Sequence, residues 1–207
     1  MKTFIFDVDG TLLSTESMYM KSLQFTLEAN GIHKEYEDLY AIFGLPSLDA
    51  LIKFNIENPE EMQKEWQSHY HDFWNEVKLF DGIHDMVADL KATGVKMGIV
   101  TSNTPEEFAD HADNFEINGF FDDFVFAGQT PKMKPAADPI LKSMADLDAD
   151  PSESIYIGDS VHDMHAAHNA GIKFGMASWG VRDRAVFNDE ADIIFETPAG
   201  ILKLAEK

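Results

Sequence analysis

Thr3-Phe4-Ile5-Phe6-Asp7-Val8-Asp9-Gly10-Thr11-Leu12 begins with a β-prone, largely apolar run and breaks into two aspartates separated by a valine. Such a run reads as a buried strand of a parallel sheet over residues 3–6, since strands covered on both faces are apolar on both faces. Asp7 and Asp9 stand where the run ends, and Gly10 permits the sharp turn that must follow. In open α/β sheets, ligands gather just beyond the carboxyl ends of the strands. Two carboxylates placed there repel each other unless a cation or a shared proton relieves them. The pair therefore suits a hard metal ion and a nucleophilic carboxylate. Taken alone, the string also fits a capped turn, because Asp and Gly are common turn residues.

The remainder of the chain chooses between these readings. From Phe80 onward, helical and strand patterns alternate. Residues 83–92 are amphipathic and stop at Thr93-Gly94, and 95–100 form a buried strand. Residues 105–117 are helical with Pro105 near the start. A short strand over 124–127 and a helix over 139–147 follow. Then come a strand over 154–157, a helix over 162–170 ended by Gly171, and strands over 173–177 and 192–195. This alternation predicts an α/β fold with a doubly wound parallel sheet. Residues 15–79 differ: Met18, Leu23 and Leu27, then Leu48, Leu51 and Ile52, recur at helical spacing. Turn signals divide that stretch at Asn30-Gly31, Gly44-Leu45-Pro46 and Asn58-Pro59. The expected organisation is an α/β core of residues 1–14 and 80–207, with a small helical cap domain of 15–79 inserted after the first strand.

Length and charge bound the function. The 207 residues suffice for one sizeable core plus an insert. Acidic residues number 37 against 16 basic ones, a formal net charge of -21. Such a surface repels nucleic acid and anionic membrane, so neither is an expected partner. An anionic substrate needs positive charge concentrated at its site. There is no cysteine, hence no disulfide or thiol chemistry. Acidic residues interrupt the first apolar stretch, against a signal-peptide pattern, and no run approaches the roughly 20 apolar residues of a spanning helix. The expectation is a soluble cytoplasmic protein, a monomer by default with a homodimer as the alternative.

Four short segments follow the predicted strands or the loops beyond them. They are Asp7-Val8-Asp9-Gly10-Thr11, then Ile99-Val100-Thr101-Ser102-Asn103, then Lys132-Met133-Lys134-Pro135, then Ile157-Gly158-Asp159-Ser160 with Asp163 beyond. Strand carboxyl ends share one rim in this fold, so the segments can converge there. In type and order they resemble the haloacid dehalogenase superfamily of phosphohydrolases, in particular the phosphoglycolate phosphatase-like group with a small helical cap. The resemblance spans nearly the whole chain and includes Lys134-Pro135-Ala136 through Asp138-Pro139, and Gly158-Asp159-Ser160 followed by Ala166-Ala167 and Ala170-Gly171.

The resemblance implies a Mg²⁺-dependent phosphatase acting on a small phosphorylated metabolite through an aspartyl-phosphate. Asp7 would be the nucleophile, and Asp9 the general acid and then the base that activates water. Thr101 and Lys134 would hold the phosphoryl oxygens, beside Ser102 and Asn103. Asp7, the main-chain carbonyl of Asp9, and Asp159 would bind magnesium, with Asp163 a further ligand or a support behind them. The superfamily's dehalogenases lack Asp at the position of Asp9, so its presence favours phosphoryl transfer. The physics agrees: carboxylate attack on an anionic phosphoryl group needs the repulsion offset by a metal ion and a point charge such as Lys134. A sugar-phosphate mutase would share the nucleophile but must grip a second phosphate, a task suited to arginine. Residues 15–79 contain none; Arg182 and Arg184 are the only arginines. Pyrophosphatase or nucleotidase activity of the same superfamily, and a non-catalytic scaffold on this fold, are the further alternatives.

Several residues carry blander expectations. Lys132 should be solvated, leaving the phosphate role to Lys134. His162, His165 and His168 step by three along one helix and read as a partly exposed face rather than a metal site. Phe43, Phe54, Trp66, Tyr70, Phe73 and Trp74 should form mostly cap core. Residues 44–47 resemble a cap loop that approaches the active site, and Trp179-Gly180 should pack near the rim.

Overall fold

The computed structural model describes residues 1–43, 45–112 and 115–205, with only the backbone path for 110–112. The chain divides into two compact units, Met1–Leu12 with Leu79–Lys207, and Leu13–Lys78.

In chain order the elements are β1 (Thr3–Phe6), β2 (Leu13–Ser14), α1 (Glu16–Ala29), α2 (Tyr36–Tyr40), α3 (Ser47–Lys53), α4 (Pro59–Ser68) and β3 (Lys78–Leu79). There follow α5 (Ile83–Ala92), β4 (Lys96–Val100), α6 (Pro105–Ala112), β5 (Asp123–Val125) and α7 (Asp138–Asp146). The last are β6 (Ser154–Gly158), α8 (Val161–Asn169), β7 (Lys173–Ala177) and β8 (Ile193–Phe195). Short 3-10 turns join several of them, and β2 pairs with β3 as a separate two-stranded ribbon.

The larger unit is the expected α/β architecture, a six-stranded sheet in the order β5-β4-β1-β6-β7-β8 with parallel pairing. β1 lies at the centre because Phe4, Ile5 and Phe6 are fully buried and demand cover on both faces. The chain builds outward from β1 to one side through β4 and β5, then to the other through β6, β7 and β8. This reversal creates a switch point at the carboxyl end of β1, where such sheets bind ligands. Register holds the rim level: Phe6 pairs with Ile99 on one side and Ile157 on the other. Asp7 N–H still donates to the Ile157 carbonyl at 2.9 Å, and Thr101 N–H to that of Val125 at 3.0 Å. The candidate site residues therefore begin where the ladder ends. One face of the sheet packs Ile5, Val100, Val125, Tyr156, Phe174 and Met176 against Ile140 and Met144 of α7 and Met164 and Ala167 of α8. Each large apolar side chain so buried contributes about 1.5–3 kcal/mol.

Several elements are offset by a single residue from the sequence reading, and two differ by more. The expected strand over 124–127 lies at Asp123–Val125, because Ala127 N–H leaves the sheet to donate to the Asn103 carbonyl at 2.8 Å. The expected helix over 105–117 is α6 as far as Ala112; residues 113 and 114 lie outside the described residues, and 115–117 form a turn.

The smaller unit is helical. Met18, Leu23 and Leu27 of α1 are fully buried, with Leu39, Ala50 and Leu51 from the next two helices. Of its six aromatics expected in the core, Trp66 and Tyr70 are buried, while Phe43, Phe54, Phe73 and Trp74 are half-buried. Trp66 is drawn in by its indole N–H, which donates to Ser22 Oγ at 2.9 Å, and by edge-on contacts with Tyr19 and Tyr70. Of the loop over 44–47, Gly44 lies outside the described residues, and Ser47 already begins α3. No described helix is long and apolar enough to cross a membrane.

Candidate active site

The β1 strand delivers Asp7 to the rim, and the chain then turns back on itself through Thr11 and Leu12, whose N–H groups both donate to the Val8 carbonyl. Gly10 makes this turn in the left-handed region at φ 79, and a Cβ there would stand 2.1 Å from an Asp159 carboxylate oxygen. Glycine is thus required twice, for backbone and for space. Asp159 follows β6 directly and accepts from the Thr11 hydroxyl at 3.2 Å, which ties the two loops together. Asp7, Asp9 and Asp159 are 5%, 8% and 8% exposed.

Asp163 lies in the first turn of α8, the next helix. Ser160 caps α8 through a reciprocal pair: its hydroxyl takes the Asp163 N–H, and Asp163 Oδ2 accepts from Ser160 N–H and Oγ at 3.1 and 2.7 Å. The other oxygen, Oδ1, accepts from Lys134 Nζ at 2.7 Å. A Cβ on Gly158 would come within 2.6 Å of the Asp163 side chain, so the last residue of β6 has to be bare for this approach.

Lys134 reaches in from the loop between β5 and α7. Its ammonium donates to Asp7 Oδ1 at 2.8 Å, to Asp163 Oδ1 at 2.7 Å and to the Tyr156 hydroxyl at 3.1 Å. It is 7% exposed, whereas Lys132 lies in solvent. Thr101, Ser102 and Asn103 sit at the end of β4, the strand beside β1. Thr101 is fully buried, and its hydroxyl accepts from Asn103 N–H at 3.1 Å, leaving its own proton to give. Ser102 Oγ is buried with no hydrogen-bond partner among the described residues, a group that a bound oxyanion would satisfy.

Asp7 and Asp163 thus share one ammonium, and Asp159 brings a third carboxylate into the same cluster. Burial pushes the Asp7 carboxyl up to about 7, a rise that Lys134 opposes and Asp163 and Asp9 reinforce. Asp159 is pushed well above the usual range by burial, then by Asp163 and Asp7. Burial works to lower the Lys134 ammonium, but Asp163 and Asp7 hold it well above its ordinary value, so it stays charged. The site carries more negative charge than it can ionise unaided, which is the condition a divalent cation relieves. Carboxylate oxygens of Asp7, Asp159 and Asp163 lie within 4.8 Å of one another. They are hard oxygen donors, and the set fits magnesium.

Among the described residues, no histidine joins a metal-binding cluster; His168 of α8 pairs with Asp192 at 2.9 Å on a partly exposed face. The Trp179-Gly180 loop does reach the rim. Trp179 Nε1–H donates to the Thr11 carbonyl at 2.9 Å, and a Cβ on Gly180 would fall 1.7 Å from the Gly10 carbonyl oxygen. Tyr156 was not singled out from the sequence. Its signal was present: a hydroxyl in the middle of the otherwise apolar strand Ser154-Ile155-Tyr156-Ile157-Gly158 must find a buried partner.

An aspartate-bearing strand end, a hydroxyl strand end, a loop lysine and a second acidic strand end gather around one rim of the α/β sheet, the arrangement of a phosphohydrolase. The profile of the haloacid dehalogenase-like hydrolases matches residues 4–177, and the chain belongs to that family. A pyrophosphatase PpaX of Bacillus cereus strain B4264 is 32% identical over 188 residues, covering 89% of this chain and 87% of its own. A pyrophosphatase PpaX of Bacillus thuringiensis strain Al Hakam is 31% identical over the same extent. Among solved structures, a candidate phosphoglycolate phosphatase from Lactobacillus plantarum superposes with a TM-score of 0.90 at 25% identity, covering 98% of each chain.

Proposed function

We propose that the protein is a Mg²⁺-dependent phosphatase that hydrolyses a small phosphate monoester through an aspartyl-phosphate on Asp7. The observation that carries this reading is the cluster of Asp7, Asp159 and Asp163, two of which, Asp7 and Asp163, bond the buried ammonium of Lys134. Asp7, Asp159 and the Asp9 carbonyl would hold the ion. Asp163 already accepts from Lys134, Ser160 Oγ and Ser160 N–H, so its part is to support the lysine from behind. When bound, the ion supplies the charge that lets two anions meet.

In this reading the Asp7 carboxylate attacks phosphorus, and the ester oxygen departs with a proton from Asp9. Asp9 then takes a proton from water, which attacks the phosphorus and frees Asp7 and phosphate. Lys134, Thr101, Ser102 and Asn103 hold the non-bridging oxygens, whose charge is spread in the transition state. The net charge of -21 favours a small metabolite over nucleic acid or anionic membrane as the partner.

Inorganic pyrophosphate is a second reading, favoured by 31–32% identity to the Bacillus pyrophosphatases. The chemistry is the same, with phosphate as leaving group. A mutase is disfavoured because Arg184 is committed to Glu196 through two bonds of 2.8 and 2.6 Å. The test is phosphate release from phosphoglycolate, sugar phosphates, nucleotides and pyrophosphate, with Mg²⁺ and with EDTA, beside Asp7→Asn. A Mg²⁺-dependent hit lost in the variant is expected. Isomerisation of a β-sugar 1-phosphate without free phosphate would overturn the reading.

A further inference from the structure

Lysine is a compact charge on a flexible four-carbon stem, with three donors that rotate freely. Lys134 also comes from a loop, so nothing in its own backbone element aims it. Yet all three of its donors are committed, to Asp7 Oδ1, Asp163 Oδ1 and the Tyr156 oxygen. Two of these acceptors are carboxyl oxygens, and the third is a phenol.

Tyr156 occupies the middle of β6 and is fully buried. β6 is paired on both sides, to β1 and β7, so its position is fixed by two ladders. The hydroxyl has one proton and two lone pairs. Its shortest acceptor is the Val100 carbonyl, at 2.9 Å, with Asp163 Oδ1 farther at 3.3 Å. Having given its proton to Val100, the oxygen can accept from Lys134. Nζ also lies 5.7 Å from the centre of the Tyr156 ring. The phenol is therefore a strut between the end of β4, one residue before Thr101, and the loop lysine.

We propose that Tyr156 is a positioning residue that aims Lys134. With Tyr156 and Asp163 holding two of its donors, the third is directed at the place now taken by Asp7 Oδ1. A phosphoryl oxygen arriving beside Asp7 can take that donor without the ammonium having to reorient. Asp163 alone fixes one donor and leaves the ammonium free to swing about it. This inference rests on the phosphatase reading, because it assigns the freed donor to a phosphoryl oxygen.

The test is a double-mutant cycle read by calorimetric binding of inorganic phosphate to the Mg²⁺-loaded protein, which needs no substrate and no turnover. Tyr156→Phe keeps the ring and removes the strut, and is expected to weaken phosphate binding about tenfold. Lys134→Ala is expected to weaken it at least as much. The two together should bind within about twofold of Lys134→Ala alone, because Tyr156 acts only through the lysine. Full phosphate affinity in Tyr156→Phe, or two losses that multiply, would overturn the inference while leaving the phosphatase reading in place. A native protein that binds no phosphate, or a Lys134→Ala variant that binds it normally, would overturn both. Should Tyr156→Phe fail to fold, Tyr156→Met replaces it with the same expectation.

Discussion

At the carboxyl rim of the sheet, Asp7, Asp9, Asp159 and Asp163 are all buried, and two of them, Asp7 and Asp163, bond one buried ammonium. In the helical unit, twelve acids and five lysines are present, and none is buried. There, pairs such as Lys21–Glu76 form at 2.6 Å with side chains 43% and 28% exposed. Water carries most of the charge in the helical unit, whereas at the rim the protein itself must carry it. Burying unmatched charge is costly, and a fold retains it where the charge has chemistry to do. The contrast predicts that equal chemical changes in the two regions have very unequal consequences.

The largest effect is expected at Asp7, the proposed nucleophile. Asp7→Asn should lower kcat by about 10⁴–10⁶-fold, and its melting temperature at pH 8 should be unchanged or higher, because the ionised carboxyl is disfavoured there by burial. A variant that turns over normally would remove Asp7 from the covalent step. Asp9→Asn should lower kcat by about 10²–10⁴-fold; a loss under tenfold would deny it the acid–base role.

Lys134→Ala tests stability as well as rate. It strips the single cation from the cluster, and breaking a buried pair typically costs about 3–5 kcal/mol. Urea unfolding should show a smaller loss at pH 5 than at pH 8, since Asp7 can take a proton at the lower pH. Equal losses at both would mean that the carboxylates do not depend on the lysine.

The rim also sets a pH dependence. In the folded chain Asp7 titrates near 7, against an ordinary value of 3.8. Between those values the folded state holds a proton that the unfolded state has released, so stability of the metal-free protein falls as pH rises from about 4 through 7. If Mg²⁺ binds the ionised carboxylates as proposed, its affinity should rise over the same interval and binding should release protons. Calorimetry in buffers of different ionisation enthalpy measures that release. Mg²⁺ affinity that is flat from pH 5 to 8 would contradict the site's electrostatics.

The two regions were also unequally legible in the sequence. The rim could be read because its residues sit where strands break, and parallel strand ends fall on one edge whatever lies between them. That rule placed Asp7, Thr101 and Asp159 on the rim, while the family resemblance supplied their expected roles and the choice of Lys134 over Lys132. What could not be read was support from the side. Tyr156 meets Lys134 across 22 residues of chain, and Gly180 meets Gly10 through a loop whose path no local pattern dictates. In the helical unit, spacing placed helices but not which rings turn inward. Trp66 is buried partly for a hydrogen bond to Ser22, and that choice depends on packing between helices distant in sequence.

The smallest effect sharpens the comparison from the other side. Glu76 is held below the usual carboxylate range chiefly by Lys21 and then by Ser17. On distance alone the pair looks at least as strong as Lys134–Asp7, at 2.6 against 2.8 Å. Solvent at Lys21 screens it, however, and ordering two long side chains offsets part of the attraction, so such pairs contribute about 0–1 kcal/mol. Lys21→Ala should therefore shift the urea midpoint only slightly, and the shift should shrink further in high salt. A loss comparable to that of Lys134→Ala would show that ion-pair length, not burial, sets the energetics of this chain.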